Sequence, residues 1–169
     1  QQPIAELQTL REKQVSYGSR QVVEGQPLLA SEGVSGDALE IIAEFEIGKA
    51  KEFGFVLRAQ KEQKTIVGYD VTKKELFIDR SQAGDSDFAP ENFPGRHAVT
   101  LPPDGKKIRL QILLDRTSVE VFGNDGIVTL ADTIFPEPAS VKAEIYVREG
   151  KVRLEALDVW QLKSVLASP

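Results

Sequence analysis

The sequence predicts an all-β domain in which two antiparallel sheets pack face to face as a β-sandwich. Three observations predict it. Apolar residues recur at every second position in about ten short runs, Gly, Asp, Asn or Pro closes each run, and almost no helical spacing follows residue 13. Alternation of period two leaves one face of each strand apolar, and two such faces must cover each other.

The first element is the exception. Leu7 and Leu10 stand three apart among polar residues between Ala5 and Lys13, after Pro3, which predicts a short one-sided helix. Residues 1–14 are read as a helical linker and 15–169 as the sandwich. Leu39, Ile41, Ala43, Phe45 and Ile47 face one way, and Glu40, Glu44 and Glu46 the other, with Ile42 breaking the acidic row. Phe53, Phe55 and Leu57 form the next strand. A hairpin through Thr72-Lys73-Lys74 would set Tyr69 beside the strand 75–79. Residues 81–96 are rich in Gly, Asp, Ser and Pro and read as a long surface connection.

Ile108, Leu110, Ile112 and Leu114 alternate, then Val119 and Val121, and further strands are predicted over 127–132, 141–148 and 151–162. Asn124-Asp125-Gly126 is a hairpin signal better explained by turn chemistry than by calcium, and Glu149-Gly150 is read as the hairpin between the last two strands. The alternation of Val152, Leu154 and Ala156 shifts by one at Leu157 and Val159, which predicts a bulge. Val119, Val121, Ile112 and Phe55 are the expected core.

A chain of 169 residues, 41% hydrophobic and 28% charged, can bury a core of its own. Its net charge of −5, with Lys and Arg scattered among the acids, argues against a nucleic-acid partner. No apolar run is long enough to predict a membrane span. Without cysteine there is no disulfide or thiol chemistry, and a single histidine, His97, excludes a Ser-His-Asp or multi-His metal site, so no cofactor or metal is expected. The start at Gln1-Gln2-Pro3, without an initiator Met, reads as a piece of a longer protein.

The run Leu113-Leu114-Asp115-Arg116-Thr117-Ser118-Val119-Glu120-Val121-Phe122-Gly123-Asn124-Asp125-Gly126 resembles the most characteristic stretch of the C-terminal domain of family 32 glycoside hydrolases, the levanases, inulinases and sucrases. Glu52-Phe53-Gly54-Phe55, Val67-Gly68-Tyr69-Asp70 and Leu76-Phe77-Ile78-Asp79-Arg80-Ser81 agree in order and spacing. Gln2-Pro3-Ile4-Ala5-Glu6-Leu7 is similar to the junction that leaves the catalytic domain. The resemblance implies a jelly-roll or concanavalin-like sandwich beside a five-bladed catalytic propeller that carries the nucleophile and acid. It implies an extracellular parent if that parent is a levanase or inulinase. No Asn-Asp-Pro, Arg-Asp-Pro or Glu-Cys motif of such a propeller occurs here, so no hydrolysis is expected of this chain.

Glycoside hydrolysis needs two carboxylates about 5–9.5 Å apart. Asp115 and Glu120 are the pair to nominate, but Asp115 is explained by backbone hydrogen bonds in its turn. Glu120, between Val119 and Val121, should project away from the core, either into solvent or toward a sugar. Asp79 and Arg80 read first as an inter-strand ion pair; with Tyr69 alongside they would make a furanose-sized patch. His97 is expected in a loop or on an edge. Trp160, on the last strand, suits core packing better than a sugar platform. Any site for fructan or fructose is therefore expected at Tyr69, Asp79, Arg80, Arg116 and Glu120. Two roles remain open: a fructan-binding accessory module, or a structural domain that covers the propeller's flank or builds a dimer, for which Ile42 hints at an apolar patch.

Overall fold

The computed structural model describes residues 1–30, 32–34, 36–85, 91, 93–138 and 141–163. Among these residues a 3-10 helix, Ala5–Leu10, leads into thirteen strands. These are β1 Arg11–Tyr17, β2 Arg20–Val23, β3 Leu28–Leu29, β4 Leu39–Glu46, β5 Glu52–Gln60, β6 Gln63–Asp70 and β7 Glu75–Gln82. There follow β8 Arg96–Thr100, β9 Lys107–Leu114, β10 Ser118–Gly123, β11 Val128–Thr133, β12 Lys142–Arg148 and β13 Lys151–Leu162.

They form two antiparallel sheets. One runs β1-β13-β4-β9-β10-β11, with β2 pairing β13 beyond the end of β1; the other runs β3-β12-β5-β6-β7-β8. Alternation decides which side chains meet between them. Leu39, Ile41, Ala43 and Phe45 of β4 and Ile108, Leu110, Ile112 and Leu114 of β9 face Phe53, Phe55 and Leu57 of β5 and Leu76 and Ile78 of β7. Phe45 lies 4.9 Å from Phe53 and 5.9 Å from Phe55, tilted or edge-on as ring quadrupoles favour. The four expected core residues are all fully buried.

The bulge expected in the last strand is present, since the β13–β4 register shifts between Leu154 and Ala156. Other expectations give way. The N-terminal helix is a six-residue 3-10 turn, and Arg11–Gln14 already belong to β1, so the sheet begins four residues earlier than the linker boundary supposed. Glu149-Gly150 is not a hairpin. Both residues have positive φ, 53° and 127°, yet the turn carries the chain from β12 in one sheet to β13 in the other. A Cβ on Gly150 would meet the Lys49 carbonyl at 2.5 Å, so the corner needs glycine. Within the expected surface connection 81–96, β7 reaches Gln82 and β8 begins at Arg96, while residues 86–90 and 92 lie outside the described residues.

Candidate functional site

The site is assembled from one hairpin and one crossing segment. β9 and β10 are joined by the turn Asp115–Ser118, in which Asp115 N donates to Ser118 O at 2.9 Å and Asp115 Oδ1 accepts from Arg116 N at 2.7 Å. Asp115 is thus held by its own turn. The turn projects Arg116, whose side chain is 66% exposed and whose Nε donates to Asp37 Oδ2 at 2.6 Å. Four residues on, Glu120 stands on the outward face of β10 between Leu113 and Ala131, with no hydrogen-bond or ion-pair partner among the described residues.

The segment before β1 supplies the opposite wall. Gln2 Nε2 donates to Asp125 O at the β10–β11 turn, and Arg11 pairs with Leu162 of β13, so residues 2–10 cross the outer face of the seven-stranded sheet. A cleft of about 530 Å³ remains between the 3-10 helix and the β9–β10 hairpin. Leu7, Leu10, Leu113 and Leu162 give it apolar surface, and Asp37, Arg116, Glu120 and Lys163 give it charge. Across β4 and β9 from Leu113, Glu40 accepts from Arg11 Nε at 2.7 Å, Arg11 Nη2 at 2.8 Å and Gln111 Nε2 at 2.7 Å. That hydrogen bond to Glu40 raises the Arg11 pKa above its ordinary value. Arg11 also lies over the Trp160 ring at 3.9 Å. Trp160 is therefore outside the core, on the outer face.

Arg116 and Glu120 thus line one cleft, and the other three expected residues do not join them. Tyr69 is fully buried between the sheets, its hydroxyl donating to Leu101 O at 2.9 Å, and burial pushes its pKa up to about 12. Its β7 neighbour is Leu76, three residues short of Asp79. Asp79 caps the Ser81 N–H at 2.9 Å. Arg80 instead reaches across the sandwich edge to Asp132 of β11 at 3.5 Å, with its guanidinium 4.3 Å from the Phe93 ring. His97, on edge strand β8, completes this cluster through Nδ1, 2.8 Å from Asp132 Oδ1.

Sequence reasoning passed over a second polar cluster, on the outer face of the six-stranded sheet. Gly54 and Gly68 are paired across β5 and β6, and the missing side chains let Phe77 and Tyr146 lie against the backbone. The Arg96 guanidinium stacks 3.4 Å from the Phe77 ring and pairs with Glu52 at 3.3 Å, while Tyr146 Oη donates to Glu52 Oε1 at 3.0 Å. Burial and Glu52 together raise the Tyr146 pKa. Two glycines inside strand patterns were the available signal. Among the described residues no group of three or more His, Asp or Glu is placed to hold a metal, and no helix is long and apolar enough to cross a membrane.

A family model described as "Glycosyl hydrolases family 32 C terminal" matches residues 6–161, nearly the whole chain. The chain belongs to that family. This family 32 C-terminal domain is 43% identical over 169 residues to a levanase of Bacillus sp. (strain L7), covering 98% of this chain and 18% of that protein. It is 40% identical over 174 residues to a levanase of Bacillus subtilis (strain 168), covering 98% and 24%. In structure it matches the exo-inulinase of Aspergillus awamori with a TM-score of 0.79 at 29% identity, covering 92% of this chain and 30% of that one. The domain thus spans a quarter or less of the two levanases' length.

Proposed function

We propose that this domain is the non-catalytic accessory module of a fructan-cleaving hydrolase, and that it binds terminal fructosyl units in the cleft beside Arg116 and Glu120. One observation carries the reading: an open cleft joins an exposed guanidinium, a carboxylate without a partner among the described residues, and an apolar floor. A furanose offers vicinal hydroxyls and little apolar face, so charge-assisted hydrogen bonds suit it better than stacking. The levanase and exo-inulinase names of its relatives support the substrate class. Of the five residues expected from sequence, the proposal keeps Arg116 and Glu120, adds Asp37, and drops Tyr69, Asp79 and Arg80, which face elsewhere.

A shallow site burying few ligand atoms should bind with a Kd of about 10 µM to 1 mM. Calorimetry with levan, inulin and fructose tests this: Arg116→Ala or Glu120→Ala should weaken binding tenfold or more, and binding that survives both substitutions sinks the site. The domain should release no fructose from any of these substrates or from sucrose, because Asp37 is ion-paired and Asp115 is tied to its turn, leaving Glu120 without a catalytic partner. Fructose release that Glu120→Gln abolishes would overturn this.

The structural role has an observation of its own. Ile4 and Ile127 are 66% and 73% exposed at or near the β10–β11 turn, where the crossing segment begins, as an apolar contact with a catalytic propeller or a second copy would require. If the wild type binds none of the three sugars, this reading stands instead.

A further inference from the structure

The two walls of the cleft are held in different ways. Leu7 and Leu10 both line it because a 3-10 helix has three residues per turn, so side chains three apart stack on one side. Such a helix rarely runs beyond three or four residues, since its hydrogen bonds are poorly aligned, and none of the six residues here is fully buried. Bonds inside the segment are local: Leu7 N donates to Ile4 O at 3.2 Å, and Thr9 Oγ1 donates to Glu6 O at 2.7 Å. Among the described residues, no side chain from Pro3 to Leu10 bonds to the sheet beneath. The opposite wall belongs to β9, β10 and their turn, and both strands are paired on both sides.

The segment is instead fastened at its two ends. Before it, Gln1 N donates to Gly126 O at 2.7 Å and Gln2 Nε2 donates to Asp125 O at 3.0 Å. The fit there is close, because a Cβ on Gly126 would lie 1.7 Å from the Gln1 carbonyl oxygen. After it, Lys163 N donates to Leu10 O at 2.9 Å, and Glu40 grips Arg11. None of Gln1, Gln2, Asp125 and Gly126 lines the cleft. One wall is thus rigid sheet, and the other is a strap tied down beyond the cleft's own borders.

We propose that residues 3–10 are a strap that regulates the cleft: fructosyl binding needs Leu7 and Leu10 seated, and the ties of Gln1 to Gly126 and of Gln2 to Asp125 keep them there. This rests on the fructosyl-binding reading. The sense of the coupling follows from entropy. A tied strap has lost most of its freedom before the sugar arrives, while a loose one must lose it on binding. Linkage makes the effect reciprocal, so bound sugar must also hold the strap down. A contact at the β10–β11 turn that displaces Gln1 and Gln2 would therefore weaken binding in a cleft it does not touch.

The test is calorimetry with levan and fructose on wild type, a chain lacking Gln1 and Gln2, Gly126→Ala and Arg116→Ala, joined to hydrogen exchange of the Leu7 amide in wild type. Loss of Gln1 and Gln2 should weaken binding about fivefold or more, the lower end of a typical coupling between two sites, while the sandwich unfolds in urea as before. Gly126→Ala should act the same way by pushing Gln1 aside; if its φ of 83° leaves that variant poorly folded, the shortened chain decides. Saturating fructose should slow exchange at Leu7. Wild-type affinity in the shortened chain, or Leu7 exchange unmoved by saturating sugar, overturns the proposal. If Arg116→Ala still loses binding in that case, the cleft stands and only this inference falls. No binding by wild type to either sugar removes the fructosyl reading and this inference together.

Discussion

Glu40 sits 2% exposed on the outward side of a sheet, and its three donors from Arg11 and Gln111 explain how a carboxylate is tolerated there. Removing it would leave the partly exposed Arg11 guanidinium and the Gln111 amide without their partner, so Glu40→Ala should cost about 1–3 kcal/mol in urea unfolding. A loss under about 1 kcal/mol would mean that water replaces the carboxylate freely. The alternation that put Glu40 on the outer face was legible in the sequence; its burial was not, because the crossing segment and Arg11 come from another part of the chain. Tyr69 teaches the converse. Its place beside β7 was legible, but which face it takes depends on strand parity across β6, and that parity puts it in the core. The Tyr69 phenol's pKa of about 12 lies above the ordinary 10, so the folded state holds its proton longer than the unfolded chain. The stability this gives is complete below pH 10 and is lost as pH rises through about 12. Tyr69→Phe should flatten that part of the alkaline unfolding curve, while giving up about 1–3 kcal/mol at neutral pH for the bond to Leu101. An unchanged alkaline slope would show that the phenol does not titrate in this window.

At the scale of elements, central strands announce themselves and most edge strands do not, β11 being the exception. β4, β9 and β13 are flanked on both sides, and their alternation is strict enough to reveal even the bulge in β13. β1, β2, β3 and β8 escape the reading because an edge strand needs few apolar residues: β8 has only half-buried Val99 among exposed neighbours. The candidate cleft was half legible for the same reason. Arg116 and Glu120 lie four apart around one hairpin, which local sequence can bring together, whereas Asp37 comes from a distant loop. The glycine pair Gly54 and Gly68 gives the element-scale test. A Cβ at Gly68 would collide with the Phe77 ring and the Tyr146 hydroxyl, displacing the stack that carries Arg96 and Glu52. Gly68→Ala should therefore lose about 1–3 kcal/mol, comparable to Val121→Ala in the core, and a neutral result by denaturant unfolding would mean that both aromatics can lift away.

Across the whole molecule, the two ends of the chain meet in one sheet. β1 at residues 11–17 and β2 at 20–23 both pair with β13 at 151–162, and β13 also holds β4 on its other side. Neither β1 nor β2 can therefore join the seven-stranded sheet until the last strand is available, and long-range pairing of this kind folds in milliseconds to seconds rather than microseconds. The same arrangement predicts the outcome of truncation. Ending the chain after Gly150 removes Val152, Leu154, Leu157 and Val159 from the core, strips β1 and β2 of their partner, and turns β4 into an exposed apolar edge. Each buried aliphatic side chain contributes about 1.5–3 kcal/mol, so four of them already match the stability expected of a domain this size. The truncated chain should show no cooperative urea transition and should aggregate through β4, while the full chain unfolds in a single step. A truncated chain that keeps a cooperative transition would show that the six-stranded sheet with β9, β10 and β11 forms a sufficient core without the strand that joins the chain's two ends.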